Sequence, residues 1–410
     1  MLAAFAIAVT WPRDARAEPG DELTISVLLF GPGDHPFSKF GHDGLLVEDA
    51  SRGTSFVYNY GTYAFQSAWL IPKFLRGKYR YWLSVSPLWR VVPSYAEENR
   101  SVVALRLALS AAQKRALAKH LAWNAMEENK YYVFDYYRDN CATRVRDLID
   151  HATDGALHAA TSGPASLTWR GHTERLAADD WFVYLGLDLA MGGLIDRPIA
   201  FWEEMFLPAK MGEGLRLVRI AGPDGTPIPL VDKETVLFAD SRPPLRTAPP
   251  DRRLPLFGAG AIAALLLGAL GWGTRAGYRA ARAALGGVVA LSGLALGVLG
   301  WLFLLLWIFT NHEVAYRNEN LLQCAPFAVL LVGSGFALAL GRSESAGRAH
   351  RVARLGLACS ALGLALKVLP WFHQTNGHLI AFFLPLWAGL TIATRPSPTS
   401  KTGVALDQRR

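Results

Sequence analysis

The sequence predicts an α+β soluble domain followed by a five-helix transmembrane bundle, and three observations carry that prediction. Residues 18–250 mix apolar and polar residues as an ordinary globular chain does, whereas 254–394 concentrate the hydrophobicity of the 410-residue chain. Within 254–394 lie five apolar stretches, 254–272, 283–309, 321–340, 355–372 and 379–394. Each is near the ~20 residues that cross a bilayer, the last being the shortest. The third observation is charge. Segments 273–282, 341–354 and 395–410 hold eleven cations against two acids, Glu344 and Asp407, which exceeds the whole net charge of +8. They alternate with 310–320, which has the single cation Arg317, and 373–378, which has none. This is the positive-inside pattern of a five-span bundle, with Arg252 and Arg253 running against it. It puts the preceding domain outside the cytoplasm and argues against nucleic acid as a partner.

From the N-terminus, 1–17 combine a short apolar run with Ala15-Arg16-Ala17 and read as a signal peptide or N-terminal anchor, although a basic n-region is missing. The soluble domain follows over 18–240. Strands are expected over 24–30, 44–48, 55–60, 79–85 and 101–109, separated by turn-rich segments such as Gly31-Pro32-Gly33-Asp34. Ser110 is a suitable N-cap for a helix over 111–124. A second helix is expected to open at Asn140 or Cys141, where Asp139 and Asn140 are both good caps. On it Cys141, Val145, Leu148 and Ile149 share one face, and Asp154-Gly155 ends it. Residues 161–171 read as a loop, 181–190 and 197–207 as aromatic-rich helices, and 215–230 as a hairpin turning at Gly222-Pro223-Asp224-Gly225. The linker, 241–253, contains four prolines; the spans cover 254–394, and 395–410 form a cytoplasmic tail.

The chain has three cysteines, and Cys324 and Cys359 fall in apolar stretches, so Cys141 is the one thiol of the soluble domain. It has no soluble cysteine to pair with, and is either a buried small hydrophobe or a reactive thiol. A helix N-terminus and a nearby imidazole both lower a thiol pKa. His42, between Gly41 and Asp43 at the mouth of a strand, is the best-placed base among His35, His42, His120, His151, His158 and His172. Its other reading is an exposed loop histidine. Asn59, on the next strand, is the candidate for orienting the imidazole. Tyr58, Tyr60, Asn140 and Arg144 are candidate substrate-binding residues beside this trio, although Arg144 and Arg146 also suit salt bridges with Asp147. The outward loops supply His312, Asn318, Asn320 and His373 as further candidates, on the same side as Cys141. Lys367 is a charge inside the fourth apolar stretch, where charge is costly. Without a CxxC pair, an HExxH or a histidine–carboxylate cluster at metal spacing, no metal is expected. Without a P-loop or dinucleotide fingerprint, no cofactor is expected either.

Phe40-Gly41-His42-Asp43-Gly44-Leu45, Tyr58-Asn59-Tyr60-Gly61, the run from Asp139 to Asp147, Asp196-Arg197-Pro198, Phe206-Leu207-Pro208 and Asn318-Glu319-Asn320-Leu321-Leu322 together resemble the Lnb family. In that family a periplasmic domain precedes a helical membrane domain. The histidine-before-cysteine order also resembles the permuted papain-like fold of NlpC-type and lecithin:retinol acyltransferase-type enzymes. The resemblance implies a multi-pass protein of the bacterial cell membrane whose N-terminal domain faces the periplasm. It implies a thiol acyltransferase in which Cys141 takes an acyl chain from a phospholipid as a thioester. The amine of a diacylglyceryl-cysteine lipoprotein then receives it, with His42 as base. Alternatives are a thiol hydrolase of lipid or cell-wall substrates, and a non-enzymatic envelope scaffold or lipid-binding protein.

Overall fold

The computed structural model describes residues 18–63, 77, 80–342 and 344–396. The expected signal segment and the end of the expected tail lie outside them. The N-terminal part is built on a seven-stranded antiparallel sheet, ordered β6-β4-β3-β2-β1-β5-β9. Its members are β1 (Leu23–Phe30), β2 (His42–Asp49), β3 (Thr54–Thr62), β4 (Arg80–Pro87), β5 (Val102–Leu107), β6 (Tyr131–Val133) and β9 (Val231–Phe238). The first five match the expected strands within three residues. The two edge strands have no counterpart among them, because β6 is only three residues long and β9 is mostly exposed. The expected hairpin forms as β7 (Arg219–Ala221) and β8 (Pro227–Pro229), a separate two-stranded ribbon around Gly222–Gly225.

Side chains alternate across the sheet. One face holds Ile25, Val27, Leu45, Tyr60, Leu83 and Leu105. It packs on Leu117 and Leu121 of α2 (Ala111–Asn124) and on Val145 and Ile149 of α3 (Cys141–Ala152). The other face holds Leu28, Phe30, Leu46, Val57 and Val102 against Val91 and Tyr95 of α1 (Leu88–Glu97). Burying each such aliphatic side chain contributes about 1.5–3 kcal/mol. Ser110 caps α2 through a capping box with Gln113.

After α3 come α4 (Ala156–Ala160), α5 (Trp169–Leu176), α6 (Trp181–Ala190), α7 (Phe201–Glu204) and α8 (Pro208–Leu217). The loop expected over 161–171 ends in a helix instead: α5 starts at Trp169 behind the cap Thr168. The helix expected over 197–207 shrinks to α7, because Pro198 holds the preceding residue in an extended backbone.

Among the described residues, two helices of the C-terminal part are long and apolar enough to cross a membrane, α9 (Arg253–Arg275) and α10 (Arg279–Phe309). A third crossing exists if the pair Glu313–Leu322 and Pro326–Ala339, bent by 59°, acts as one span. This is fewer than the five spans expected. The third stretch is broken at Pro326, which has no N–H to donate, and only α11 (Leu330–Ala339) stays α-helical. The fourth, α12 (Ser345–Ala365), opens with Arg348, Arg351 and Arg354, and the last, α13 (Gly377–Ala393), has 17 residues. Small residues set the packing. Gly286, Gly293, Gly297 and Gly300 of α10 lie directly against backbone of α11 and of the broken segment before it, where a Cβ would clash.

The polar loops at 310–325 and 373–378 dock on the N-terminal part. Asn318 donates to Leu189 O (2.8 Å) and Asn320 donates to the same carbonyl (3.1 Å), closing the C-terminal end of α6. Arg170 of α5 is buried, pairs with Asp188 and Asp196, and donates to Met191 O and Gly192 O at 2.9 Å each. Lys367 does not snorkel freely. It pairs with Glu319 and donates to Gln374 O at 2.6 Å.

Candidate active site

Asn140 opens α3. Its side chain accepts from Thr143 N (2.9 Å), Thr143 Oγ1 accepts from Asn140 N (2.8 Å), and its amide donates to Tyr136 O and Phe206 O. The reciprocal cap fixes Cys141 as the first residue of the helix. The cysteine Cβ leans on Gly61, which sits at φ +93° in a register irregularity of β3. A Cβ on Gly61 would stand 3.7 Å from Cys141 Cβ and 3.8 Å from His42 Cε1. Helix-borne thiol and strand-borne imidazole therefore flank one glycine.

His42 begins β2, opposite Phe30 of β1. Its ring stacks on Phe30 (centroids 5.6 Å apart) and lies 6.3 Å from Tyr95, over which Arg100 is placed. Burial, with the Arg100 charge second, drives its pKa down to about 4, against a side-chain interaction with Asn59. Asn59 lies near the imidazole, but its Oδ1 closes no hydrogen bond of good geometry.

Sequence reasoning missed Asp43. It is fully buried, on the α3 side of β2 with Leu45, and its carboxyl approaches Cys141. Neither of its oxygens has a partner of good hydrogen-bond geometry. Desolvation raises its pKa to about 8, so near neutral pH it holds a proton. The thiol is pushed up as well, first by burial and then by Asp43; the amides of Asp43, Ala142 and Cys141 oppose this. The helix N-terminus thus acts as expected, but burial outweighs it. The resting pair is a thiol and a neutral imidazole. The only local sign of Asp43 is its place in the His42 motif.

A cavity of about 960 Å³ opens beside the pair. His42, Asn59, Tyr60, Asn140 and Cys141 line one end. Phe40, Phe134, Tyr136, Leu187, Met191 and Phe206 continue the wall, and Leu302 and Leu306 of α10 belong to it too. The size lies within the range of pockets that enclose small molecules. His312 lines it and approaches Tyr136. The remaining candidates are engaged elsewhere. Tyr58 packs in the sheet core, and Arg144 pairs with Asp139 and lies over Tyr132. Asn318 and Asn320 hold α6, and His373 bonds Gly193 O at 3.0 Å. Tyr60 lines the cavity but donates its hydroxyl to Asn124. Arg146, not Arg144, pairs with Asp147.

A cysteine at a helix start, a histidine on a neighbouring strand and an apolar chamber reaching a membrane-length helix define a membrane-associated thiol–imidazole protein. Residues 13–175 match the family model described as the Lnb N-terminal periplasmic domain. The N-terminal part is thus similar to that domain, and with the apolar helices that follow it the chain reads as a membrane protein with a periplasmic N-terminal domain. No curated protein and no solved structure matches it.

Proposed function

We propose that the protein is a Cys-His acyltransferase that moves an acyl chain from a phospholipid to the N-terminal amine of a diacylglyceryl-cysteine lipoprotein. The observation that carries this reading is the cavity, whose wall joins Cys141 and His42 to Leu302 and Leu306 of α10. An acyl chain in it gains ~0.8 kcal/mol per buried CH₂ while its ester lies at the thiol. In the first half-reaction His42 takes the Cys141 proton as sulfur attacks the ester carbonyl, and passes it to the leaving lysophospholipid. In the second, His42 takes a proton from the attacking amine and returns it to the thiolate as the amide forms. Amides of Asp43, Cys141 and Ala142 face the sulfur and suit the developing oxyanion.

On this reading the N-terminal domain has the permuted papain-like fold, with the five apolar stretches holding it against the outer face of the bacterial cell membrane. Complementation tests the reading. Cys141→Ala and Cys141→Ser, expressed to normal levels in cells that depend on this protein, should leave lipoprotein N-termini unacylated. Acylation unchanged by both variants overturns it. A thioester on Cys141 that yields only free fatty acid makes the protein a hydrolase.

A further inference from the structure

One group of three metal-ligand side chains comes together among the described residues, and it is not at the thiol. Glu174 of α5, Asp188 of α6 and His378, the second residue of α13, each place a ligand atom within 4.8 Å of the other two. All three are buried, and none lines the cavity. Two are from the periplasmic domain and one from the last apolar helix. The separations of 14 and 190 residues hide them from any reading of local spacing.

Two observations mark the cluster as incomplete with protein atoms alone. First, Glu174 is 6 % exposed and its Oε1 has no hydrogen-bond partner. An unsatisfied buried carboxylate oxygen costs more than the 1–3 kcal/mol typical of a neutral group. Second, the charges do not balance. Glu174, Asp188 and Asp196 surround one guanidinium, Arg170, whose donors go to Asp188, Asp196, Met191 O and Gly192 O. Arg252 lies over Trp181 and Tyr184, donates to Ala178 O and makes no ion pair among the described residues. With all three acids ionised the joint holds more buried negative than positive charge, and either a proton on Glu174 or a bound cation offsets it.

We propose that Glu174, Asp188 and His378 hold a divalent transition-metal ion of the zinc type, which fastens the periplasmic domain to the last apolar helix. One imidazole nitrogen and two carboxylate oxygens suit zinc better than calcium or magnesium, which favour all-oxygen shells. With bonds of ~2 Å, the ligand atoms of a tetrahedral ion stand about 3.3 Å apart, so the longer separations close by up to about 1.5 Å while Asp188 and His378 move apart. Asp188 and His378, now hydrogen-bonded to each other, would bind the ion instead. Arg170 would stay on Asp188 and hold its orientation. A second carboxylate oxygen or a water completes four-coordination.

The test uses the full chain in detergent, purified without chelator, and needs no lipid substrate, so it stands apart from the acyl-transfer reading. Elemental analysis should find about one zinc-type ion per chain. Chelation should lower the melting midpoint, and Zn²⁺, but not Mg²⁺, should restore it. Glu174→Gln decides between a metal ion and a bound proton, because it removes one negative charge just as protonation does. The proposal expects Glu174→Gln and His378→Ala to lose the ion and melt lower, while Cys141→Ala keeps it. It is overturned if the wild type holds no ion and Zn²⁺ moves no midpoint, if Glu174→Gln melts as high as the wild type, or if both ligand variants retain the ion.

Discussion

Cys141 and His42 flank Gly61, the cysteine from the α3 side of the sheet and the imidazole from the side of Phe30 and Tyr95, with the cysteine Cβ and the imidazole Cε1 each within 3.8 Å of the space a Gly61 side chain would fill. The glycine is needed for φ +93°, while a methyl group there would stand in van der Waals contact with both side chains. Gly61→Ala should cost about 1–3 kcal/mol of stability through backbone strain. It should also lower the acylation rate by an order of magnitude or more with the fold retained. Melting and single-turnover acylation check this; a fully active Gly61→Ala would show that the pair does not work through this gap.

Burial and Arg100 drive the His42 pKa down to about 4. The imidazole is then a neutral base across the physiological range, and the acid limb of kcat/KM should fall near pH 4, not near the ordinary 6.5. A pH–rate profile reads this directly. Arg100→Gln removes the second cause and should move the limb upward.

Asp43 acts on stability in the opposite sense. Folded, its carboxyl keeps a proton to about pH 8, whereas the unfolded chain releases it at the ordinary carboxylate pKa near 4. Stability from this group is therefore full at low pH and declines as pH rises towards 8. His42 works the other way from about 4 to 6.5, since the unfolded imidazole takes up a proton that the folded one refuses. Between pH 6.5 and 8 the Asp43 decline stands alone of the two, at most about 2 kcal/mol. Chemical denaturation in that window should show it, and Asp43→Asn should flatten it.

The cavity should set which chains are transferred. Leu306→Trp fills its α10 wall. Transfer of long acyl chains should then fall several-fold more than transfer of short ones, with alkylation of Cys141 by iodoacetamide unchanged. Equal losses for all chain lengths would place the acyl chain elsewhere.

Asn318 and Asn320 are joints. Their amides satisfy carbonyls at the end of α6. Each Ala substitution should cost about 1 kcal/mol and speed amide exchange in α6, without altering Cys141 alkylation.

Much of this was legible in the sequence because the signals are local. Alternating apolar residues mark β1 to β5, Ser110 and Asn140 are caps of a recognisable kind, and the second cap puts the thiol first on its helix. What stayed hidden depends on distant partners. Helix α5 has the composition of a surface segment, yet Arg170, His172, Thr173, Glu174 and Arg175 are all buried. Arg170, His172 and Arg175 find their partners in α6, α7, the linker and the segment after α6. Asp43 reads as a polar strand residue until the fold lays α3 over it. The loops at 310–325 and 373–378 look like substrate contacts because they are polar, but most of that polarity holds the two parts of the chain together.

The proposed reaction passes an acyl chain through one sulfur. Intact-protein mass spectrometry after exposure to phospholipid vesicles, with no amine acceptor present, tests that most directly. The wild type should gain one fatty-acyl mass, removable by neutral hydroxylamine and mapping to Cys141, and Cys141→Ser should gain none of that lability. A wild-type protein that acylates lipoproteins while Cys141 never carries an acyl group would contradict the account.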